Sequence, residues 1–358
     1  MESIPTGIDS IIYFRVMSKP TKVTIQDIAR FAGVGVGTVS RVLNGHPNVS
    51  PETEANVRKA IEALGYRPVV AAQTLRTRRS NVIGFITDEI ATSPHAGQII
   101  RGAQEAAWKG GKILLLVNTQ WDPELEQAAV ETMIDRQVDG LIYATMYHRP
   151  VTPPEIMRQI PSVLLDCFTE DASLPSVVPD EFNGGYEATK LLIERGHQRI
   201  GFINNTDPIP AQRLRMKGYC AALESYDLPF DEALVVERKS EPKGGYDGMM
   251  VLLDLPDPPS AVFCFNDRMA MGAYDAIRQR GFRIPQDIAV IGFDNQELIA
   301  ANLYPGLTTM QLPHYEMGIW AVEYLLSMLE TSEKDDFKQE CSPPQVQLKC
   351  PLVLRDSV

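Results

Sequence analysis

The stretch "AGVGVGTVSRVLNG", Ala32 to Gly45, places Gly33, Gly35 and Gly37 at alternate positions, followed by Thr38, Ser40 and Arg41. Residues of these types can meet phosphate in two ways. A glycine-rich loop after a strand cradles a nucleotide on backbone N–H groups, in the pattern G-x-G-x-x-G. Here Thr38 stands where the third glycine belongs, no Gly-Lys-Ser/Thr follows, and the preceding residues have a helical rather than a strand period. The alternative is a short glycine turn between two helices. The second helix would then present Val36, Gly37, Thr38, Ser40 and Arg41 to a nucleic acid. Its hydroxyls and opening N–H groups suit phosphates, and the guanidinium suits a guanine edge or a phosphate.

Catalysis finds no comparable footing, and the chain is expected not to be an enzyme. There is no G-x-S-x-G and no H-E-x-x-H, and the five histidines (His46, His95, His148, His197, His314) are far apart in sequence. Asp207 in "NNTDPIP" has no evident acid–base partner, and His197 is expected to cap a helix-to-strand turn. No metal or cofactor is implied. The five cysteines (Cys167, Cys220, Cys264, Cys341, Cys350) are widely spaced without a C-x-x-C, which points to reduced thiols. No apolar run approaches the ~18 residues that span a bilayer. Ile11 to Val16 is too short for a signal-peptide core, so a cytoplasmic protein without membrane contact is expected.

The elements that would position the glycine stretch follow from capping and period. "TIQDIARFAG" has a Thr24 N-cap, Asp27 three residues on, and Ile25, Ile28, Ala29 and Ala32 on one face. A second helix is predicted from Val36 or Gly37 to Asn44-Gly45, and a third opens at Ser50-Pro51 and stops at Gly65. From Asn81 the period changes. "NVIGFIT", "KILLLVN", "VDGLIYAT", "PSVLLDC", "RIGFINN", "SAVFCFND" and "IAVIGFDN" are short β-branched runs alternating with helical segments, the signature of parallel α/β sheets. Two sheets fit, from Asn81 to about Pro179 and from about Asp180 to Thr309. Charge divides at the same place. Residues 17–80 carry ten Lys/Arg against four acids, whereas the whole chain has net charge −12. A basic head on an acidic body is the asymmetry of a small domain that meets a polyanion.

"VTIQDIARFAGVGVGTVSRVLNGHPNVSPETEANVRKAIEALGYRP" closely resembles the N-terminal domain of the lactose/galactose-repressor (LacI/GalR) family. The signature A-G-V-x-x-x-T-V-S-R-V-L-N is present as Ala32, Gly33, Val34, Thr38, Val39, Ser40, Arg41, Val42, Leu43 and Asn44. The likeness continues through "ERGHQRIGFI", "FCFNDRMAMGAYDAI", "IAVIGFDNQELIA" and "LTTMQLP" to "PLVLRDS", covering roughly residues 21–356. It implies that the first two residues of the recognition helix, Val36 and Gly37, face operator bases. Val offers only a thymine-methyl contact and Gly offers none, so specificity is expected to shift to Thr24, Ser40, Arg41 and Asn44 and to the linker. The resemblance makes Val69 to Thr77 a hinge helix whose Leu75, beside Ala72, wedges into the minor groove, with Arg76 on phosphate.

The body resembles a type I periplasmic sugar-binding fold, with two lobes around a cleft at the C-terminal ends of the strands. Arg215 matches the family's effector-binding arginine, and Asn266, Asp294 and Gln311 match further effector positions. Asp88, His95, Asp166 and Asp180 complete the expected effector set, while Asp267 is expected to cap the next helix. The fold class implied is a small all-α helix-turn-helix head plus an α/β body of parallel sheets. Its expected parts are a disordered extension over 1–20, a DNA-binding domain over 21–67 and a hinge over 68–80. An effector and dimerisation domain follows over 81–358, with one lobe from 81–179 and 311–341 and the other from 180–310 and 342–358. The expected partners are double-stranded operator DNA, a second copy of the chain and a small sugar-like effector. "TDEIATSPHAG" and "LLVNTQWDPELEQAAV" resemble regulators of α-glucoside or other oligosaccharide use. A transporter's binding protein would share the body but lack the basic head, and a nucleotide-dependent enzyme would need the missing phosphate loop.

Overall fold

The computed structural model describes residues 23–43, 46–66, 79–94, 96–331 and 342–358. The chain divides into two compact units between Arg78 and Arg79. In the first, α1 (Ile25–Ala32), α2 (Val36–Leu43) and α3 (Pro51–Leu64) pack around Ile28, Val39, Val42, Val57 and Ala60. Thr24 and Asp27 form the capping box that starts α1, and Gly33 ends it in the left-handed region at φ 66°. That conformation is what demands glycine at position 33. Gly35 and Gly37 differ, since neither has a positive φ and a Cβ on either meets no atom within 4 Å. Gly33 and Gly35 thus lie in the turn and Gly37 in the opening of α2, as the sequence places them, and of the three Gly33 alone takes the left-handed backbone. Ser50 caps α3, and Asn56 Nδ2 donates to the Ala32 carbonyl at 2.9 Å, tying α3 to the end of α1.

The second unit holds two six-stranded sheets. The first orders β11 (Gln345–Leu348), β5 (Ser176–Pro179), β4 (Ser162–Phe168), β3 (Gly140–Pro150), β1 (Val82–Thr87) and β2 (Ile113–Asn118). All its pairs are parallel. The helices α4 (Gly97–Lys109) and α5 (Pro123–Asp135) alternate with its strands. Consecutive residues of β1 feed opposite cores, Ile83 and Phe85 one side and Ile86 the other, which is why the strand reads as a continuous apolar run. The second sheet orders β12 (Leu352–Val353), β10 (Thr308–Gln311), β9 (Ala289–Asp294), β8 (Ala261–Cys264), β6 (Ile200–Asn205) and β7 (Val235–Arg238), with β12 antiparallel. Its helices are α6 (Glu181–Glu194), α7 (Pro210–Ser225), α8 (Pro242–Leu253) and α9 (Asp267–Gln279). The last helix, α10 (His314–Thr331), returns to pack its buried Met317, Ala321 and Leu325 into the first lobe's core.

Seven strands stand where the β-branched runs place them, and the short β5, β7, β10 and β11 carry no such run. The last of these brings a correction. β11 pairs with β5, so residues 345–348 belong to the first lobe, not to the second as expected for 342–358. Four or five hydrogen-bonded residues on an edge are too few to leave a periodic signal.

Helices cross closely where glycines face one another. A Cβ on Gly245 of α8 would stand 1.9 Å from the Met269 carbonyl oxygen, and one on Gly272 of α9 1.8 Å from that of Pro242. At the start of the body, Asp139 accepts from Ser80 N at 2.7 Å, Asn81 N at 3.0 Å and Lys112 Nζ at 2.7 Å. This buried clasp fixes where the chain enters β1. Among the described residues, Cys167, Cys220, Cys264 and Cys350 are free thiols, and no helix is long and apolar enough to cross a membrane.

Candidate nucleic-acid interface and ligand cleft

In the head, Val39 and Val42 turn inward, so Val36, Gly37 and Arg41 are left exposed and Thr38 and Ser40 half-buried on the opposite face of α2. The N–H groups of Thr38 and Val39 both donate to the Gly35 carbonyl, which removes them as phosphate ligands. Thr24 is held as a cap: its hydroxyl donates to Asp27 Oδ2 at 2.6 Å and accepts from Asp27 N at 3.4 Å. Asn44, Ala72, Leu75 and Arg76 lie outside the described residues.

In the body, a cavity of about 400 Å³ opens between the lobes, at the C-terminal ends of the strands. It brings together Asp166, Arg215, Asn266 and Asp294 of the expected effector set. Arg215 is 2% exposed, and its Nε donates to Glu181 Oε2 at 2.6 Å and its Nη1 to the Phe265 carbonyl at 2.5 Å. Its Nη2 lies 3.7 Å from Asp294 Oδ1, and its plane stacks over Phe293 at 3.6 Å. Burial works against the guanidinium charge, but Glu181 and Asp294 hold it protonated. Asp166, by contrast, is buried with Oδ1 lacking any hydrogen-bond partner. Burial, reinforced by Glu181 and Asp88, pushes its carboxyl well above the usual range. His148, on the same cavity wall, is buried with Nδ1 unpartnered, and desolvation lowers its pKa. Asp166 (φ 57°) and Asp294 (φ 103°) both occupy left-handed backbone, a conformation that recurs where side chains are aimed for function.

Other expected positions do not line this cavity. Asp88 accepts from Met146 N at 3.0 Å and Glu89 N at 2.7 Å and pairs with Arg149 at 3.3 Å, so it organises the loops behind the cavity wall. Asp180 is the N-cap of α6, accepting from Asn183 N at 3.1 Å. Gln311 accepts from Asn295 Nδ2 at 3.0 Å in a neighbouring hollow. His95 lies outside the described residues. Asp267 is not the cap it was expected to be. Asn266 caps α9, while Asp267 is fully buried and accepts from Thr309 Oγ1 at 2.6 Å and Gln296 N at 2.7 Å. His197 stands in the turn from α6 to β6 as expected, its N–H donating to the Leu192 carbonyl of α6 at 3.1 Å and its Nδ1 lying 2.9 Å from Ser260 Oγ.

Sequence reasoning missed Glu181, Asn205, His148 and Phe265. Asn205 ends a strand, as Asp88 follows one, and the same rule would have found it. His148 had no such signal, because the register shift in β3 between Ala144 and Arg149 decides what lies at the cavity. Among the described residues no cluster of three His, Cys, Asp or Glu could hold a metal.

The chain matches two family models: bacterial regulatory proteins of the lacI family over residues 24–69, and periplasmic binding proteins and sugar binding domain of the LacI family over 80–352. It is 37% identical over 308 residues to the ribose operon repressor of Escherichia coli (strain K12), covering 85% of this chain and 92% of the relative. It is 34% identical over 338 residues to the HTH-type transcriptional repressor PurR of Haemophilus influenzae (strain PittEE), covering 94% and 98%. A lac repressor dimer solved with operator and the anti-inducer ONPF superimposes with a TM-score of 0.76 at 27% identity, covering 94% of this chain and 98% of that one.

Proposed function

The chain belongs to the LacI family of bacterial regulators, and from that premise we propose that it is a cytoplasmic, homodimeric repressor of a pseudopalindromic operator, controlled by a small sugar-like effector. That it is a DNA-binding transcriptional repressor with a ligand-binding domain follows from the family itself. The observation that carries the effector reading is the cavity wall of Arg215, Asn266, Asp294 and the unpartnered Asp166. Polar groups from both lobes line it, and a sugar hydroxyl would answer the buried Asp166 Oδ1. A volume of about 400 Å³ suits a monosaccharide or disaccharide, and an α-glucoside falls within that class.

The dimer reading is supported by the edge strand β2, whose Ile113 and Leu115 are exposed, and by Trp108 of α4 at 76% exposure. The lac repressor neighbour is itself a dimer on its operator. In the proposed complex α2 enters the major groove with Val36 and Gly37 foremost, and Thr38, Ser40 and Arg41 supply polar contacts. Thr24, Asn44, Ala72, Leu75 and Arg76 belong to the same proposed interface, with Leu75 as the minor-groove wedge. Effector binding between the lobes alters the hinge, and a coupling of about 1–3 kcal/mol suffices for a 5–150-fold change in operator affinity.

Retardation of DNA from upstream of the protein's own gene cluster tests this. The full chain is expected to shift a palindromic site, the Leu75→Ala and Arg41→Ala variants to shift it weakly, and a neutral sugar to change the shift. Failure to retard any palindrome there would overturn the operator reading.

A further inference from the structure

A second cavity, of about 500 Å³, adjoins the cleft, with His148 on the wall of both. β5, β11 and the end of β4 in the first lobe form one side of it, and the first two turns of α7 in the second lobe form the other. We infer that this side cavity is a second small-molecule site, separate from the effector cleft, which takes a small phosphorylated metabolite on Arg213, Lys217 and His148.

Its charge is the opposite of the cleft's. Five acidic residues, Glu89, Asp166, Glu181, Asp207 and Asp294, line the cleft. Among the described residues no Asp or Glu lines the side cavity, although the chain as a whole has net charge −12. Arg213 and Lys217 are exposed on its wall, and neither makes an ion pair or hydrogen bond among the described residues. Elsewhere in the same lobe Arg199, Arg280 and Arg283 are each paired with a carboxylate.

Left empty, this arrangement is unfavourable. α7 opens on Pro210 with no side-chain cap from Ile209 and no acidic residue in its first turn. Its positive end therefore meets Arg213 in the first turn and Lys217 one turn on, where the helix dipole disfavours cations. The two also stand four residues apart on one helix face, a spacing at which like charges repel. An anion between them relieves both effects.

A buried polar group points to the same occupant. His148 is 6% exposed and its Nδ1 has no hydrogen-bond partner. Phe168 meets the imidazole edge-on at 5.5 Å between centroids, which holds the ring at the wall. An imidazole protonated on Nδ1 donates to a phosphate oxygen. Inorganic phosphate alone would leave much of the volume unfilled, and the amide of the exposed Gln347 suits the hydroxyls of an organic part. Gln345 is already engaged, accepting from Ser176 Oγ at 2.7 Å and donating to the Leu174 carbonyl at 2.8 Å. With Arg213 and Lys217 in one lobe and His148 and Gln347 in the other, the occupant bridges the two.

Calorimetry on the full-length protein tests this with ribose 5-phosphate, glucose 6-phosphate and inorganic phosphate. At least one sugar phosphate is expected to bind at one site per chain. The double variant Arg213→Gln/Lys217→Gln, which loses two charge-assisted contacts, is expected to bind it roughly 10-fold or more weaker. Arg268→Gln, at the exposed cation of the cleft wall, is expected to stay within about 2-fold of wild type. All three substituted side chains are exposed, so the fold is kept. A double variant that binds as wild type does, or an Arg268→Gln variant weakened as much as the double one, would put the anion elsewhere and overturn the side cavity. Failure of every sugar phosphate to bind would overturn it too. The effector reading stands apart from all of these, since the neutral sugar in the retardation experiment decides it.

Discussion

A Cβ built on Gly37 of the head meets no atom within 4 Å, whereas one built on Gly245 or Gly272 of the body would lie within 2 Å of a neighbouring helix's carbonyl oxygen. The difference extends to the two candidate sites. The head offers its side chains outward from one eight-residue helix, over a largely aliphatic core. The cleft is walled by buried polar groups drawn from both lobes, among which Arg215, Glu181 and Asp294 hold one another. The head can change what it reads with little effect on its fold. The cleft cannot, because its binding groups are also its structural ones.

The strongest way to break this comparison is to remove Arg215. Arg215→Ala leaves Glu181 and Asp294 buried without their counter-charge, at an expected loss of about 3–5 kcal/mol in urea unfolding. The equivalent change in the head, Arg41→Ala, is expected to move stability by less than about 0.5 kcal/mol, because the side chain is exposed. Equal losses would dissolve the contrast.

Glycine replacement sharpens it. Gly245→Ala drives a methyl into the Met269 carbonyl, and an expected loss of about 1–3 kcal/mol follows from separating α8 and α9. Gly37→Ala lies in open space within a helix and is expected to raise the head's stability by about 0.5–1 kcal/mol. It is also expected to alter operator preference, measured by retardation of a randomised site. Thr24→Ala removes the capping box of α1, and the head's melting curve is expected to report a loss of about 1 kcal/mol.

The smallest effect concerns acid. Burial raises the pKa of Asp139, but hydrogen bonds from Lys112 and Ser80 outweigh burial and hold it below its usual 3.8. A carboxyl depressed by folding stabilises fully above its unfolded pKa, and that contribution is lost as pH falls through the folded value. Melting temperatures of wild type and Asp139→Asn are therefore expected to converge only below about pH 4. A gap independent of pH would show that Asp139 acts through hydrogen bonds alone.

The head was legible in the sequence because its determinants are local. The Thr24–Asp27 box, Gly33 at a left-handed stop, Ser50-Pro51 and the inward period of Val39 and Val42 all lie within about three helices of chain. The strands of the body were legible for the same reason, each being a self-contained apolar run. Strand-end position correctly brought Asp166, Asn266 and Asp294 to one cavity. It could not show that Asp88 faces its own loop backbone, or that the cap of α9 is Asn266 while Asp267 is buried under Thr309. Nor could it place β11 in the first sheet, where four backbone pairings with β5 decide the matter. What the sequence alone determined was the kind of protein and the helices of its head, because caps and periodicity act over a few residues. Tertiary structure alone decided which polar groups share a cavity and which are left unpartnered, because burial and charge pairing depend on neighbours a hundred residues away in the chain.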